Sequence, residues 1–355
     1  MLKRYFPAVS IFTLFILFLS CSGPSMVAVK VQKPAAIHLP GIRKIAVVDF
    51  VGEDRSGSQI ATLTQSLLMG TQFYEILERD KLKRVLEEQN LAMAGVVDDA
   101  TAAEVGRLLG VDAMIFGEVT MYDVDDIQKE KMVKERVGTG RYQTVEKKDK
   151  KTGKIKKERK EIYKELMVPK KYWVRTGDVA INFRVVAVET GVLLAAHSDS
   201  KSYDSEKHIS FLQALTDTRN LKPKGEILSE LSQEICKKFV QMIAPYYLTE
   251  NRTIESGGGN IGIGAKYAES GLWPEAMEAW QQALMELPEE PAVYYDLGLG
   301  FEVAGELDKA EKMYSRAVKM KQKKLYMSAI NRIRKAKKEH AKLKKQLMEK
   351  ESSQE

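Results

Sequence analysis

The chain has 355 residues, 44% of them hydrophobic and 30% charged, with a formal net charge of +7, a length that predicts two domains. Two cysteines and four histidines, His38, His197, His208 and His340, show no metal-ligand spacing, which excludes a disulfide framework and the common zinc sites. The charge is segregated: residues 127–171 hold 17 Lys and Arg against 7 Asp and Glu, and residues 321–350 hold 12 against 2. An acidic body therefore carries two basic appendages, a pattern suited to an anionic surface or an acidic partner.

At the N-terminus, Lys3 and Arg4 precede an apolar stretch from Tyr5 to Leu19. This is the plan of a secretory signal peptide, and at about 15 residues it is short of the roughly 20 that a bilayer span needs. Phe18-Leu19-Ser20-Cys21 resembles a lipobox, with Phe18 where Leu is usual. The resemblance implies loss of residues 1–20 as a lipoprotein signal peptide, with a diacylglycerol and an N-acyl lipid on Cys21 anchoring the chain to a membrane. Ser22, in place of Asp, implies sorting to the outer membrane, on its periplasmic face. Cys236 is then the one cysteine left to the mature chain, and nucleic acid is excluded as a partner by compartment. Residues 21–42, with Gly23, Pro24, Pro34, Pro40 and Gly41, predict a tether.

Residues 43–250 read as an α/β domain. Lys44–Phe50 is a continuous apolar run, as in a strand buried on both faces. Ile60, Leu63, Leu67 and Leu68 lie at helical spacing, and Phe73–Leu77 is a second strand, so the three form a parallel βαβ unit. Asp80 predicts one helix cap and Thr101 with Glu104 a capping box for a helix ending at Leu109. Strands follow at 112–121, 178–191 and, returning antiparallel, 192–200. An amphipathic helix runs from Glu226 to Tyr247, with Cys236 as a small packing residue. Between the strands, residues 127–172 read as a basic hairpin insertion turning at Thr152-Gly153. Lys147, Lys148, Lys154, Lys156 and Lys157 are its candidate contacts to an anionic envelope polymer or lipid.

The series Lys44–Phe50, 78–91, 97–119 and 181–191 resembles the CsgG family of curli-secretion proteins over roughly residues 43–247. The resemblance implies a periplasmic mixed sheet flanked by helices, and a role in assembly or export of envelope structures. In transporter members it implies a ring of protomers that contribute strands to an outer-membrane barrel. This chain departs from that pattern. Its loop after the first strand is short and polar, with Phe50 the one aromatic nearby. The stretch 141–166 is rich in Lys and Arg, each costing about 2–4 kcal/mol on a lipid face at the bilayer midplane.

After a linker at 251–259, residues 260–350 hold two repeats offset by 34 positions. Gly264 matches Gly298, Tyr267 matches Phe301, Ala276 matches Ala310, Trp280 matches Tyr314, and Ala283 matches Ala317. These resemble tetratricopeptide repeats. A basic helix striped by Leu325, Ala329, Ile333, Ala336, His340, Leu343 and Leu347 caps the stack. Tyr267, Trp280, Tyr294 and Phe301 are the candidate contacts for a protein partner in the concave face of the repeats.

No stretch joins a nucleophile, a base and an orienting group, and GGGNIGIGAK (257–266) lacks the Lys-Ser/Thr of a phosphate loop. The expectation is a non-enzyme without cofactor or metal: an outer-membrane lipoprotein that assembles, exports or scaffolds an envelope structure, with homo-oligomerisation open. The alternatives are a ring-forming secretion channel and a lipoprotein activator of a cell-wall synthase.

Overall fold

The structure, a computed structural model of the chain, describes residues 25–78, 107–148, 155–210 and 221–352. Cys21, Lys154, the helix expected after Asp80 and most of that expected from Thr101 lie outside the described residues. The chain forms two units, one of residues up to Lys33 with Tyr247–Lys344, the other of Pro34–Tyr246 with the residues from Lys345 on.

In the α/β unit, strand β2 (Lys44–Val47) leads through helix α1 (Ser56–Thr71) to β3 (Glu75–Ile76). Strands β4 (Ala113–Lys148), β5 (Ile155–Ala187) and β6 (Leu193–Asp204) follow, then helix α2 (Lys224–Ile243). The sheet order is β3-β2-β4-β5-β6. β2 runs parallel to β3 and β4, while β5 is antiparallel to both β4 and β6. The expected βαβ unit and mixed sheet are present. Ile45, Ala46, Val47 and Val48 are all buried, because both faces of the sheet are covered.

One face packs Ile45, Val47, Ile115, Ile181 and Phe183 against Ile60 and Leu68 of α1 and Ile235 and Phe239 of α2. There the Phe183 and Phe239 rings stack with centroids 4.1 Å apart. The other face packs Ala46, Val48, Met114, Phe116 and Val186 against Leu109 and Val111. Cys236 lies on the buried side of α2, accepts from the Thr64 hydroxyl at 3.5 Å, and burial pushes its thiol up to about 11.

The helical unit begins where a tether was expected. Ser25–Lys33 is strand β1, paired in a two-stranded sheet with β7 (Tyr246–Ile254), which also takes the first part of the expected linker. Val27 and Val29 bury against Ile254, Ile261 and Ala265, and that burial orders a segment flanked by Gly and Pro. Helices α3 (Gly259–Glu269), α4 (Trp273–Glu286), α5 (Pro291–Val303) and α6 (Leu307–Met320) form two hairpins, as the 34-residue period predicts. Gly264 and Gly298 mark the two crossings: a Cβ at Gly264 would meet the Trp280 ring at 2.4 Å, and one at Gly298 the Tyr314 ring at 2.7 Å. Helix α7 (Lys324–Ser352) buries Tyr326, Ala329 and Ile333 against Tyr295, Tyr314 and Ala317 and so closes that end of the stack. β1 and β7 close the other.

Within this unit Glu302, on α5, accepts the Arg332 fork at 2.9 Å (Nε) and 2.8 Å (Nη2), Arg252 Nε at 3.1 Å and the Tyr314 hydroxyl at 2.6 Å. Burial acts to raise its pKa, and Arg332, Tyr314 and Arg252 outweigh it, so the carboxyl is held below its ordinary range. Asp296, one and a half turns earlier, is wholly buried with one hydrogen bond, from the Glu255 N–H at 3.0 Å, and an orphaned Oδ2. Burial there pushes the carboxyl well above its ordinary range and favours its neutral form.

The two carboxyls contribute to stability with opposite signs. Glu302 is stabilising above the ordinary carboxylate range and loses that contribution as pH falls through its lowered pKa. Glu302→Gln, which removes the counter-charge of Arg332 while Arg252 keeps its ion pair with Glu250, should cost about 3–5 kcal/mol near pH 7, read as a fall in the urea midpoint at unchanged m. Asp296 unfolds into a state that ionises more readily, so it destabilises as pH rises above about 4. Asp296→Asn should therefore raise Tm at about pH 8 and leave it unchanged at about pH 3; equal effects at both would disprove a neutral buried acid.

Candidate functional site

Strands β4 and β5 do not stop at the edge of the sheet. The expected strands at 112–121 and 178–191 and the expected hairpin insertion are one antiparallel ribbon, paired from Ala113↔Ala187 to Lys148↔Ile155 with two shifts of register. The hairpin is a continuation of the two sheet strands, because the backbone ladder carries on through the charged stretch and does not depend on the side chains it bears.

The first part of the ribbon belongs to the core. After a bulge at Thr120 it is gripped on both faces. On one face Asp126 and Arg175 stand opposite each other and pair as a fork, at 2.6 Å (Nε to Oδ1) and 2.8 Å (Nη2 to Oδ2). Arg175 is 7% exposed and also donates to the Lys222 carbonyl at 2.7 Å, while Lys224 donates to the Val124 carbonyl at 2.9 Å. The guanidinium holds the Asp126 carboxyl below its usual range, and the carboxylate in turn raises the Arg175 pKa. On the other face Glu206, from the turn after β6, accepts from Lys129 and from the Tyr172 hydroxyl, two residues opposite each other in the ladder. Those two bonds lower the Glu206 pKa.

From Lys131 and Lys170 to the far end no described side chain is buried. Twenty residues of extended chain from Arg175 to Ile155 reach on the order of 65 Å. A second irregularity interrupts the ribbon at 139–141, where Gly140 takes a left-handed backbone (φ 67°) and donates to Glu161 Oε1 at 3.1 Å. One face carries Val133, Val137, Ile162, Leu166 and Val168, interrupted by Glu135 and Lys164, and the opposite face carries Lys134, Arg136, Glu165 and Lys171. The opposite face also holds Met132, Tyr163 and Met167, so the apolar alternation over 132–138 and 162–169 is partial. β2 pairs β4 only at Ala113–Ile115, beyond which Val51 bridges Glu118, and β6 pairs β5 only at Thr176–Val186. Both outer edges of the distal ribbon are thus open among the described residues, a template for further strands.

Of the basic set, Lys147 and Lys156 face each other across the ladder near its end, and Lys157 stands opposite Glu146 with a 3.5 Å ion pair. Lys148 takes part in the ladder by its backbone. The set therefore occupies both faces. Arg159 lies over the Tyr142 ring at 5.1 Å and Arg136 over Tyr163 at 5.8 Å.

The residues expected to hold a partner in the helical unit do not gather. Trp280 is 0% exposed, fills the space left by Gly264 and donates to the Ile261 carbonyl at 3.3 Å, so it is a core residue and not a contact. Phe301 and Tyr294 are half-buried against the second core cluster, and Tyr267 is exposed. The chain itself lies along α5: Tyr295 donates to the Thr253 carbonyl at 2.9 Å, and Arg252 and the Glu255 N–H bond Glu302 and Asp296. Sequence reasoning missed Asp126, Arg175 and Glu206, whose partners lie 30 or more residues away. Among the described residues there is no metal-ligating cluster and no helix long and apolar enough to cross a membrane.

Residues 46–158 match the family model described as "Curli production assembly/transport component CsgG". None of the curated proteins matches the chain. Among solved structures, the PelC dodecamer from Paraburkholderia phytofirmans is similar at 11% identity over 62% of this chain and 99% of that one, with a TM-score of 0.28. Lipoprotein GNA1162 from Neisseria meningitidis is similar at 14% identity over 54% and 97%, with a TM-score of 0.29. The LpoB C-terminal domain from Salmonella enterica is similar at 7% identity over 46% and 84%, with a TM-score of 0.27. The family match opens in β2, spans all of β4 and ends just inside β5, so the α/β unit carries a CsgG-family domain over those residues.

Proposed function

We propose that this chain is a lipid-anchored envelope protein, held by Cys21 at the periplasmic face of the outer membrane, whose ribbon joins it to an assembly that builds, exports or scaffolds an envelope structure. The observation that carries the reading is the open-edged distal ribbon on a domain of a family described by assembly and transport. A two-stranded ribbon alone in water is marginal at best. Its unpaired N–H and C=O groups favour added strands, from further copies of the chain or from a partner.

No catalytic step is assigned to the described residues, whose perturbed carboxyls are taken up by ion pairs or by the core. The ribbon's interrupted apolar face makes a pore-forming barrel the second reading. A strand crossing a bilayer needs about 9–11 residues with an apolar outer row, and Glu135 and Lys164 break this one.

Replacing residues 132–169 by an Asn-Gly turn, which the facing pair Lys131 and Lys170 allows, should leave the sheet folded. It should reduce the mass of the detergent-purified protein, measured by light scattering, to that of a monomer. A full-length protein that is already monomeric would sink the assembly role, and stepwise conductance in a planar bilayer would select the channel.

Neutralising the described basic residues at the far end (Lys147→Gln, Lys156→Gln, Lys157→Gln together) should weaken binding to an anionic wall polymer several-fold at low salt. The gap should close at about 0.5 M salt. Binding indifferent to both changes would remove that polymer as a partner.

A further inference from the structure

The β1–β7 sheet has one covered face and one bare face. Val27 and Val29 of β1 and Ile254 of β7 are buried against α3. The alternate residues of β1, Met26, Ala28 and Lys30, are exposed, Met26 at 61%. Tyr247 of β7 is 57% exposed and shares that bare side, since the Lys30 Nζ stands 4.3 Å from its ring centroid. Two large apolar side chains, a small one and a lysine in one row are costly to leave in water yet too few to form a protein interface of ordinary size.

Chain length supplies the occupant. Strand β1 opens at Ser25, four residues after Cys21, and four extended residues span at most about 14 Å. A lipid on Cys21 holds that residue at the headgroup layer, roughly 5–8 Å deep on each side of the hydrocarbon. The expected 22-residue tether is thus cut to three intervening residues, and the first strand of the helical unit is confined to the membrane surface. Tyr and Lys are the side chains that suit such a place: the ring sits among headgroups while its hydroxyl stays wet, and the lysine stem lies along apolar surface with its ammonium toward phosphate.

We propose that the bare face of the β1–β7 sheet, through Met26, Ala28, Lys30 and Tyr247, rests on the lipid headgroups beside the anchor and fixes the helical unit's orientation to the bilayer. This rests on the reading of Cys21 as lipidated. The sheet is then a second membrane contact, set by the fold and not by the acyl chains.

The test uses the lipidated full-length protein in liposomes of phosphatidylethanolamine and phosphatidylglycerol, with a nitroxide on Met26→Cys or Ala28→Cys. A control label goes on Met285→Cys, an exposed site of the same unit (77%). Cys236 is buried and Cys21 is blocked by its lipid, so the label is site-specific. Accessibility to oxygen, which enters the bilayer, is compared with accessibility to a water-soluble nickel chelate. The oxygen-to-nickel ratio should be several-fold higher at positions 26 and 28 than at 285. Palmitate incorporation and co-flotation with liposomes, both lost in Cys21→Ser, report the anchor separately. An anchored protein whose labels at 26 and 28 are as accessible to nickel as that at 285 overturns the proposal while the anchor stands. Labels shielded from both agents mean a protein cover, a second copy included, and also overturn it. Absence of palmitate and of co-flotation in the wild type overturns the anchor and the contact together.

Discussion

A strand that leaves its sheet takes with it a row of backbone N–H and C=O groups that one partner can satisfy on one side only. Everything distinctive about the α/β unit follows from that constraint. β4 and β5 satisfy each other along the ribbon, yet among the described residues each turns an open edge outward once β2 and β6 have ended. Water can meet those groups, so the ribbon is permitted, but nothing about it is self-sufficient. Its faces are too mixed to bury and its edges too long to be indifferent to a strand from elsewhere. Lysines scattered along both faces are one of the means by which native edges resist indiscriminate pairing. A ribbon used for assembly needs such restraint.

The root of the ribbon shows how a sheet can carry so long an extension without bending at its base. Asp126 and Arg175 are directly opposed, forked, and roofed by the carbonyl of Lys222 at the start of α2. Because Arg175 is almost wholly out of water, its charge is costly unless paired, and the fork with additional hydrogen bonds is the geometry in which such a pair holds. Glu206 binds the opposite face through a residue of each strand. The two grips lie within three ladder steps, on opposite faces, and oppose rotation of the ribbon about either strand.

How much of this was legible in the sequence depended on whether a period or a partner carried it. The apolar run at Ile45–Val48 and the spacing of Ile60 and Leu68 gave the sheet and its first helix, since burial on both faces and on one stripe writes itself into local composition. The 34-residue offset gave both helical hairpins, and the pairing of Gly264 with Trp280 and of Gly298 with Tyr314 gave their crossings. β1 was hidden although Val27, Val29 and Val31 alternate, because the glycine and prolines around it read as tether. Only its partner strand, over 200 residues later, makes it a strand. The charged ribbon was split into strands and insertion for a related reason: alternation of apolar residues fades there, while the ladder that defines the strands does not. Glu302 with Arg252 and Arg332 left no local mark at all, being 50 and 30 residues apart.

Within the helical unit, part of the repeat surface is covered by the chain itself. Its stack is closed by β1 and β7 at one end and by α7 at the other, and the chain's own residues 252–255 lie along α5. There Tyr295, one oxygen of Asp296 and Glu302 are engaged by the chain itself. A neutral Asp296 with an orphaned oxygen and a charged Glu302 among two arginines are both costly features to bury, and their cost is borne to hold that self-contact in one arrangement. Two repeats are ordinarily too few to fold alone; here strand and helix from the two ends of the sequence supply the missing neighbours. Among the unit's outer surfaces, the bare face of the β1–β7 sheet is the one proposed to meet the membrane.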